Sequence, residues 1–328
     1  MEGIDNVFVC ITPLQMMIAE NIIKKEKLSP KNNILIILYY EKNEKQKYYY
    51  KKIRSLFYNS FEFNINFNGS RLMQIKHHYL VNKLISNHLN SFKGYDIYFA
   101  SINDKTIQQI CSKVKINNLL TFDDGTANIS KRSIYYENGE TLKARVLNFI
   151  FFIKMNQNKI KKNIRYHYTI YPELANIVDN TKLIELDIWH AIPDQCMHLD
   201  GREVRKIFLG QPFEELELDK KNIIETINEL GIKYYFPHPR EKYKYKDIIY
   251  IDSPLIFEDY IYHEIEKGHN VFYEIYSVNS TVMMNISSLS HTNRVRFYYL
   301  YNDNLKKRFH DIYNVFDDLD ISAIKLSS

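Results

Sequence analysis

The chain has 328 residues, 45% hydrophobic and 25% charged. This is ordinary globular usage, which excludes a disordered or fibrous chain and is long enough for two domains of about 150 residues each. The net charge of +5 is too mild to argue for a nucleic-acid partner, and no nucleic-acid motif occurs, but it suits an anionic substrate or an anionic membrane surface. Cys10, Cys111 and Cys196 are odd in number and far apart, which excludes a disulfide framework or a CxxC zinc site and points to a reducing cytosol.

Residues 7–11 are too short and too acidic in their approach for a secretory signal. No run reaches the roughly 20 apolar residues of a membrane-spanning helix. Strand signals, short and rich in Ile, Val, Phe and Tyr, fall at residues 6–11, 34–40, 61–67, 95–100 and 118–122. Helical patterns lie between them at 14–25, opened by Thr12-Pro13 as cap and first turn, and at 72–89 and 105–114. This alternation predicts a parallel sheet with helices on both faces.

Asp123-Asp124-Gly125 follows the fifth strand, at the carboxyl end where open α/β sheets bind ligands. Two adjacent carboxylates there suit a general base and a sugar-hydroxyl acceptor, or a divalent cation; the same residues also make a plain Asp-Gly turn.

Residues 126–200 are less regular and read as a connector with extra helices. Within them, the apolar run 146–153 is followed by Lys154, Lys159, Lys161, Lys162 and Arg165. An apolar segment with a basic tail suits docking on anionic headgroups, and equally suits a core helix with a solvated end. Alternation resumes beyond residue 200. Strands are predicted at 204–209, 234–236, 248–251, 271–276 and 295–301, and helices at 220–230, 255–267, 280–289 and 304–315. Gly231 and Gly268 terminate two of these helices.

The second half carries the sharpest chemistry. In Phe236-Pro237-His238-Pro239-Arg240 two prolines stiffen the backbone around a histidine beside a fixed cation. A positioned imidazole near an arginine suits a reaction that releases a phosphate. Gly210-Gln211-Pro212 follows a strand and is itself followed by Glu214, Glu215 and Glu217. Ser277 to Thr281 joins a strand to a helix, so that Ser280 and Thr281 suit an anion or simple capping. Phe257 and Glu258 open another helix. No dinucleotide fingerprint, P-loop or nucleophile elbow is present.

Five stretches together resemble the bacterial sialyltransferases of glycosyltransferase family 52, in family order and across nearly the whole chain. They are residues 7–15, Phe122 to Gly125, Phe208 to Pro212, Pro237 to Glu241 and Ser277 to Thr281. The resemblance implies an α/β GT-B fold, two Rossmann-like domains facing a cleft. Residues 1–125 would form the acceptor-side domain, 126–200 a connector with a helical, membrane-facing insert, and 201–328 the CMP-sugar-binding domain. It implies transfer of sialic acid from CMP-sialic acid to a terminal galactose of a lipooligosaccharide or capsule glycan, with inversion and without metal or other cofactor. His238 would be the general acid. Phe236, Pro237, Pro239, Arg240, Phe257, Glu258, Ser280, Thr281 and Gln211 would hold CMP-sialic acid.

The base is open: Glu215 is the first choice with Glu214 and Glu217 close, whereas related families take it from the acidic-Gly motif, here Asp124. With Glu215 as base, Asp124, Asp123 and Gly125 serve the acceptor. If the base is Asp124, two domains or two subunits must close, so a homodimer is among the expected assemblies. The expected location is the bacterial cytoplasm, peripheral at the inner face of the cytoplasmic membrane. Rival readings are another CMP- or UDP-sugar transferase of the same fold, or a non-catalytic capsule-assembly protein.

Overall fold

The computed structural model describes residues 4–65, 70–89, 93–137, 139, 142–189, 202–213, 218, 220–241, 243–268 and 270–326. The chain divides into two compact units, Met1–Ile188 and Trp189–Ser328.

The first unit holds a seven-stranded parallel sheet in the order β3-β2-β1-β4-β5-β6-β7. The strands are β1 (Asn6–Cys10), β2 (Asn33–Tyr39), β3 (Asn59–Asn64), β4 (Gly94–Phe99), β5 (Lys115–Phe122), β6 (Ile164–Thr169) and β7 (Leu183–Glu185). Every residue of β1 and β2 is buried, as both-face burial of a central parallel strand requires. Val7 and Val9 join a core cluster with Val81, Leu84, Ile107 and Ile110. Phe8 points the other way and stacks on Tyr98 at 4.2 Å. The helices are α1 (Pro13–Lys25), α2 (Glu44–Ile53), α3 (Arg71–His88), α4 (Lys105–Lys113), α5 (Leu142–Ile150) and α6 (Gln157–Asn163).

The first sheet does not stop at residue 125. Strands β6 and β7 extend it, so residues 126–188 pack within the first unit instead of standing apart as a connector. The apolar run and its lysines are also two elements, not one. Helix α5 ends at Ile150, Phe152 turns the chain with a φ of 54°, and Asn156 caps α6. Lys161 of α6 is half-buried and donates to the Tyr135 carbonyl at 2.8 Å. No described helix is long and apolar enough to cross a membrane.

The second unit holds a six-stranded parallel sheet, β10-β9-β8-β11-β12-β13. Its strands are β8 (Glu203–Leu209), β9 (Tyr234–Phe236), β10 (Ile249–Tyr250), β11 (Val271–Ser277), β12 (Val295–Tyr301) and β13 (Ser322–Lys325). The helices are α7 (Lys220–Glu229), α8 (Phe257–Glu266), α9 (Val282–Asn285), α10 (Asp303–Arg308) and α11 (His310–Asp318). The helix expected at 280–289 is only the four residues of α9, followed by a 3-10 turn over Ser287–Thr292.

Both sheets are doubly wound: the strand order reverses between β1 and β4 in one, and between β8 and β11 in the other. A crevice opens at the carboxyl ends of the strands wherever the winding reverses, and ligands bind there.

Candidate active site

The reversal point of the first sheet lies between the loops after β1 and β4. Thr12 caps α1 by accepting from the Gln15 N–H at 3.2 Å, with Pro13 in the first turn. This aims the fully buried Gln15 side chain back across the strand ends. Its Oε1 accepts from the Ile11 N–H at 2.7 Å, and its Nε2 donates to Ser101 Oγ at 3.1 Å and to Asp124 Oδ1 at 2.8 Å. Ser101 Oγ and the Tyr135 hydroxyl donate to the other Asp124 oxygen at 2.8 and 3.3 Å. Asp124 is thus a half-buried carboxylate fixed by three donors. Gly125 follows at φ 59°, a left-handed conformation glycine adopts without strain.

Asp124 borders a cavity of about 490 Å³ confined to the first unit. Tyr40, His78, Asp104, Lys105, Leu147 and Phe151 are among its other walls. Asp104 caps α4 through the Thr106 and Ile107 N–H groups and accepts from the Tyr40 hydroxyl at 2.6 Å. Burial pushes the Asp104 carboxyl up from its ordinary range, against the pull of those donors. The imidazole of His78 stacks on Phe151 at 3.8 Å.

Asp123 departs from expectation. Its side chain is fully buried, with His167 Nε2 and Asn128 Nδ2 on one oxygen and Thr169 Oγ1 and the Ile170 N–H on the other. These donors use its acceptor capacity, so it does not face a substrate; it ties the acidic turn to β6.

In the second unit the loops after β8 and β11 meet. Gln211 Nε2 donates to Asn279 Oδ1 at 2.6 Å, and Gln211 Oε1 accepts from the Asn279 N–H at 3.3 Å. Ser280 and Thr281 follow directly and are half-buried; neither makes a side-chain cap for α9.

The Pro-His-Pro loop leaves β9 beside them, where the Gly210 N–H donates to the Phe236 carbonyl at 2.8 Å. Glu241, which sequence reasoning passed over, braces this loop. It accepts from the Tyr235 hydroxyl at 2.5 Å and from the His238 N–H at 3.3 Å. A Cβ on Gly210 would lie 2.3 Å from a Glu241 oxygen and 2.7 Å from the Tyr235 ring, so this close approach requires glycine.

The Arg240 N–H donates to His238 Nδ1 at 3.1 Å. That fixes the neutral tautomer with its proton on Nε2. Burial, then the Arg240 charge, lowers the His238 pKa from 6.5 to about 4. Pro237 is half-buried, and Pro239 and Arg240 are exposed on the same loop.

Phe236 and Phe257 meet edge to face at 5.0 Å, and both are buried. They therefore pack beneath the loop instead of offering a stacking face. Glu258 is buried in the first turn of α8 and accepts from Asn285 Nδ2 at 2.6 Å. Glu214, Glu215 and Glu217 lie outside the described residues. Among the described residues no group of three His, Cys, Asp or Glu side chains is placed to hold a metal ion.

Of the wall residues that sequence reasoning missed, Asp104 had a usable signal, an Asp directly before a helical pattern. Ser101, Tyr40, Tyr135 and His78 had none.

Comparison with known proteins agrees with this architecture. A protein assigned as a UDP-N-acetylglucosamine 2-epimerase from Listeria monocytogenes superposes with a TM-score of 0.51 over 98% of this chain and 89% of its own, at 12% identity. That likeness concerns the fold, and the expected GT-B architecture is borne out. A CMP-N-acetylneuraminate:beta-galactoside alpha-2,3-sialyltransferase of Pasteurella multocida is 31% identical over 329 residues, 98% of this chain and 99% of the relative. An N-acetyllactosaminide alpha-2,3-sialyltransferase of Haemophilus influenzae is 31% identical over 301 residues, 89% of this chain and 91% of the relative. Residues 31–300 match the family profile itself, and the chain belongs to glycosyltransferase family 52.

Proposed function

We propose that the protein is an inverting, metal-independent sialyltransferase. In this reading it moves N-acetylneuraminic acid from CMP-sialic acid to a terminal galactose, forming the α2,3 linkage for which its relatives are named. The acceptor is a lipooligosaccharide or capsule glycan at the inner face of the cytoplasmic membrane. The observation that carries the reading is the Gln211–Asn279 junction beside the His238 loop. Three family motifs converge there on the reversal point of the second sheet, where a nucleotide phosphate is expected.

The bond from sialic acid C2 to the CMP phosphate oxygen breaks, and its electrons pass to that oxygen. His238 Nε2–H and the Arg240 guanidinium receive the new charge. Ser280, Thr281 and Gln211 line the phosphate side, with Pro237 and Pro239 holding the loop rigid. Glu258 aligns the nucleotide end, and Phe236 and Phe257 support that wall from beneath. The galactose hydroxyl attacks the opposite face of C2 and loses its proton to a carboxylate. Glu215 is the proposed base, with Glu214 and Glu217 as neighbours. Asp124 holds the acceptor in the first-unit cavity, since three of its roughly four lone-pair sites are already engaged.

The test is CMP release from CMP-sialic acid with lactose as acceptor, in the presence of EDTA. Turnover under chelation is expected. Activity restored only by magnesium or manganese overturns the metal-free route. Turnover with another CMP-sugar or a UDP-sugar alone replaces the donor, and none with any donor favours a non-catalytic capsule-assembly role.

A further inference from the structure

The polar groups of the first-unit cavity form a row, not a point. They come from the loops after β2, β1, β4 and β5, which are consecutive strands of the sheet. Neighbouring strands lie about 4.8 Å apart. Asp124, held by Gln15, Ser101 and Tyr135, stands at the β5 end. Tyr40 follows β2 at the other end, and its hydroxyl reaches the β4 loop to donate to Asp104 Oδ2 at 2.6 Å. The residue is 52% exposed, yet that hydroxyl is tied to a buried carboxylate.

The two ends belong to one electrostatic neighbourhood. Burial, then the Asp104 charge, pushes the Tyr40 hydroxyl up from its ordinary range, and the Asp124 charge adds to the shift. Burial, then the Asp124 charge, does the same to Tyr135, and Asp104 adds to it. Each tyrosine therefore senses both carboxylates.

Hydrogen-bond accounting shows what the Tyr40 end can bind. Asp104 Oδ1 accepts from the Thr106 and Ile107 N–H groups at 2.8 and 2.9 Å, and Oδ2 accepts from Tyr40. A carboxylate has about four lone-pair sites, so among the described residues one remains on Oδ2. The Tyr40 oxygen has given its proton to Asp104 and offers lone pairs. This end is built of acceptors, and it suits a hydroxyl that donates.

Size and polarity say how many sugar rings fit. At interior packing density a single hexose takes up only about 200 Å³, whereas the cavity holds about 490 Å³. Much of the remaining lining is apolar, with Ile65, Leu147, Phe151 and Ile153. A row of hydroxyl acceptors beside apolar wall matches a pyranose chain, which carries hydroxyls on its rim and C–H groups on its faces.

We propose that Tyr40 and Asp104 form a second acceptor station, which reads a hydroxyl of the sugar next to the galactose, so that the cavity selects a disaccharide end over galactose alone. The placing of galactose at Asp124 rests on the functional reading above; the two-station slot for linked sugars does not.

The experiment compares lactose with methyl β-galactoside as acceptors for CMP-sialic acid, in wild type, Tyr40→Phe and Asp104→Asn. Binding of the same two sugars is read in parallel by saturation-transfer NMR without donor. Thermal melts check the fold, and Tyr40→Phe removes a single oxygen from an exposed residue, so it decides the matter if Asp104→Asn is unstable. Wild type is expected to show a KM for lactose at least about fivefold below that for methyl β-galactoside, about the worth of one or two hydrogen bonds. Both variants are expected to raise the lactose KM until the ratio approaches one, with the loss in KM and not in kcat. Equal KM values for the two sugars in wild type overturn the second station. So do variants that keep the wild-type ratio, and variants that raise both KM values alike, which marks a structural role. If wild type transfers to neither sugar, the NMR arm decides. Lactose binding stronger than that of methyl β-galactoside, with the difference lost in Tyr40→Phe, then upholds the slot and sinks the transferase reading. Equal or absent binding of the two sugars overturns the slot.

Discussion

His167 Nε2 stands 2.9 Å from Asp123 Oδ1 inside the first unit, with the imidazole 1% exposed and the carboxylate not at all. The other imidazole nitrogen is 2.8 Å from Thr121 Oγ1. One buried pair thereby crosslinks β5, β6 and the turn that carries Asp124. The two adjacent aspartates have divided the labour: the first fixes the turn, and the second faces the cavity.

This division predicts opposite phenotypes. Asp123→Ala leaves His167, Asn128, Thr169 and the Ile170 N–H without their acceptor, and each buried donor left unpaired costs about 1–3 kcal/mol. Urea melts should show that loss. Asp124→Asn keeps an acceptor oxygen on a half-buried side chain, so its melt should stay within about 1 kcal/mol of wild type. Its KM for the galactoside should rise. A stable Asp123→Ala protein would remove the crosslink from the account.

The residue pattern made the sheets legible and left their chemistry hidden. Strands β1 and β2 are near-continuous apolar runs because both faces are buried. Strand β6, Ile-Arg-Tyr-His-Tyr-Thr, was obscured by polar residues whose partner, Asp123, lies more than forty positions away. Helix α2 has few buried apolar side chains, and its one local signal is the Asn43–Gln46 capping box. Half-exposed β13 lacks an apolar run. At the site, the Pro-His-Pro loop and the Gly-Gln-Pro turn stood out because proline and glycine constrain backbone directly. The inward side chains of Asp123, Phe236 and Phe257 look like site residues in sequence, because burial is decided by partners distant along the chain.

The His238 environment gives a pH signature. Its folded pKa of about 4 lies below the unfolded 6.5, so between those values the unfolded chain binds more protons. The stabilisation from a neutral His238 is therefore present above pH 6.5 and lost as pH falls toward 4. A bound phosphate opposes the Arg240 charge and raises the proton affinity of the ring. Protonation also costs the hydrogen bond from the Arg240 N–H to Nδ1. CMP binding near pH 6 should therefore take up a proton, visible by calorimetry in buffers of different ionisation enthalpy. His238→Asn should abolish that uptake and lower kcat by about 10²-fold or more. No uptake in wild type would demote His238 from proton donor to hydrogen-bond donor.

Glu241 and Gly210 test whether loop position matters as much as loop chemistry. Glu241 accepts from both Tyr235 and the His238 backbone, and Gly210 leaves it room. Gly210→Ala must displace the Glu241 carboxylate and with it the His238 loop. A kcat loss of about tenfold or more is expected, with CMP affinity nearly kept, because a misplaced catalytic group costs the transition state first. Glu241→Gln, which keeps an acceptor and the shape, should recover most of the rate. Equal losses in both variants would point to the Glu241 charge instead of its bracing role.

The base assignment is decided by comparing two carboxylates in different units. A base must reach the acceptor hydroxyl within about 3 Å and carry a free lone pair. Asp124 already accepts from Gln15, Ser101 and Tyr135, which suits holding a sugar better than taking its proton. Glu215, the proposed base, follows the Gly-Gln-Pro stretch in the half of the sequence that carries His238. Glu215→Gln should therefore lower kcat by roughly 10²–10⁴-fold and flatten the acidic limb of the kcat/KM profile, which reports the base in free enzyme. Asp124→Asn should keep that limb and act mainly through KM for the galactoside. An acidic limb that disappears in Asp124→Asn and survives in Glu215→Gln reverses the two roles and makes the first-unit cavity the seat of proton abstraction.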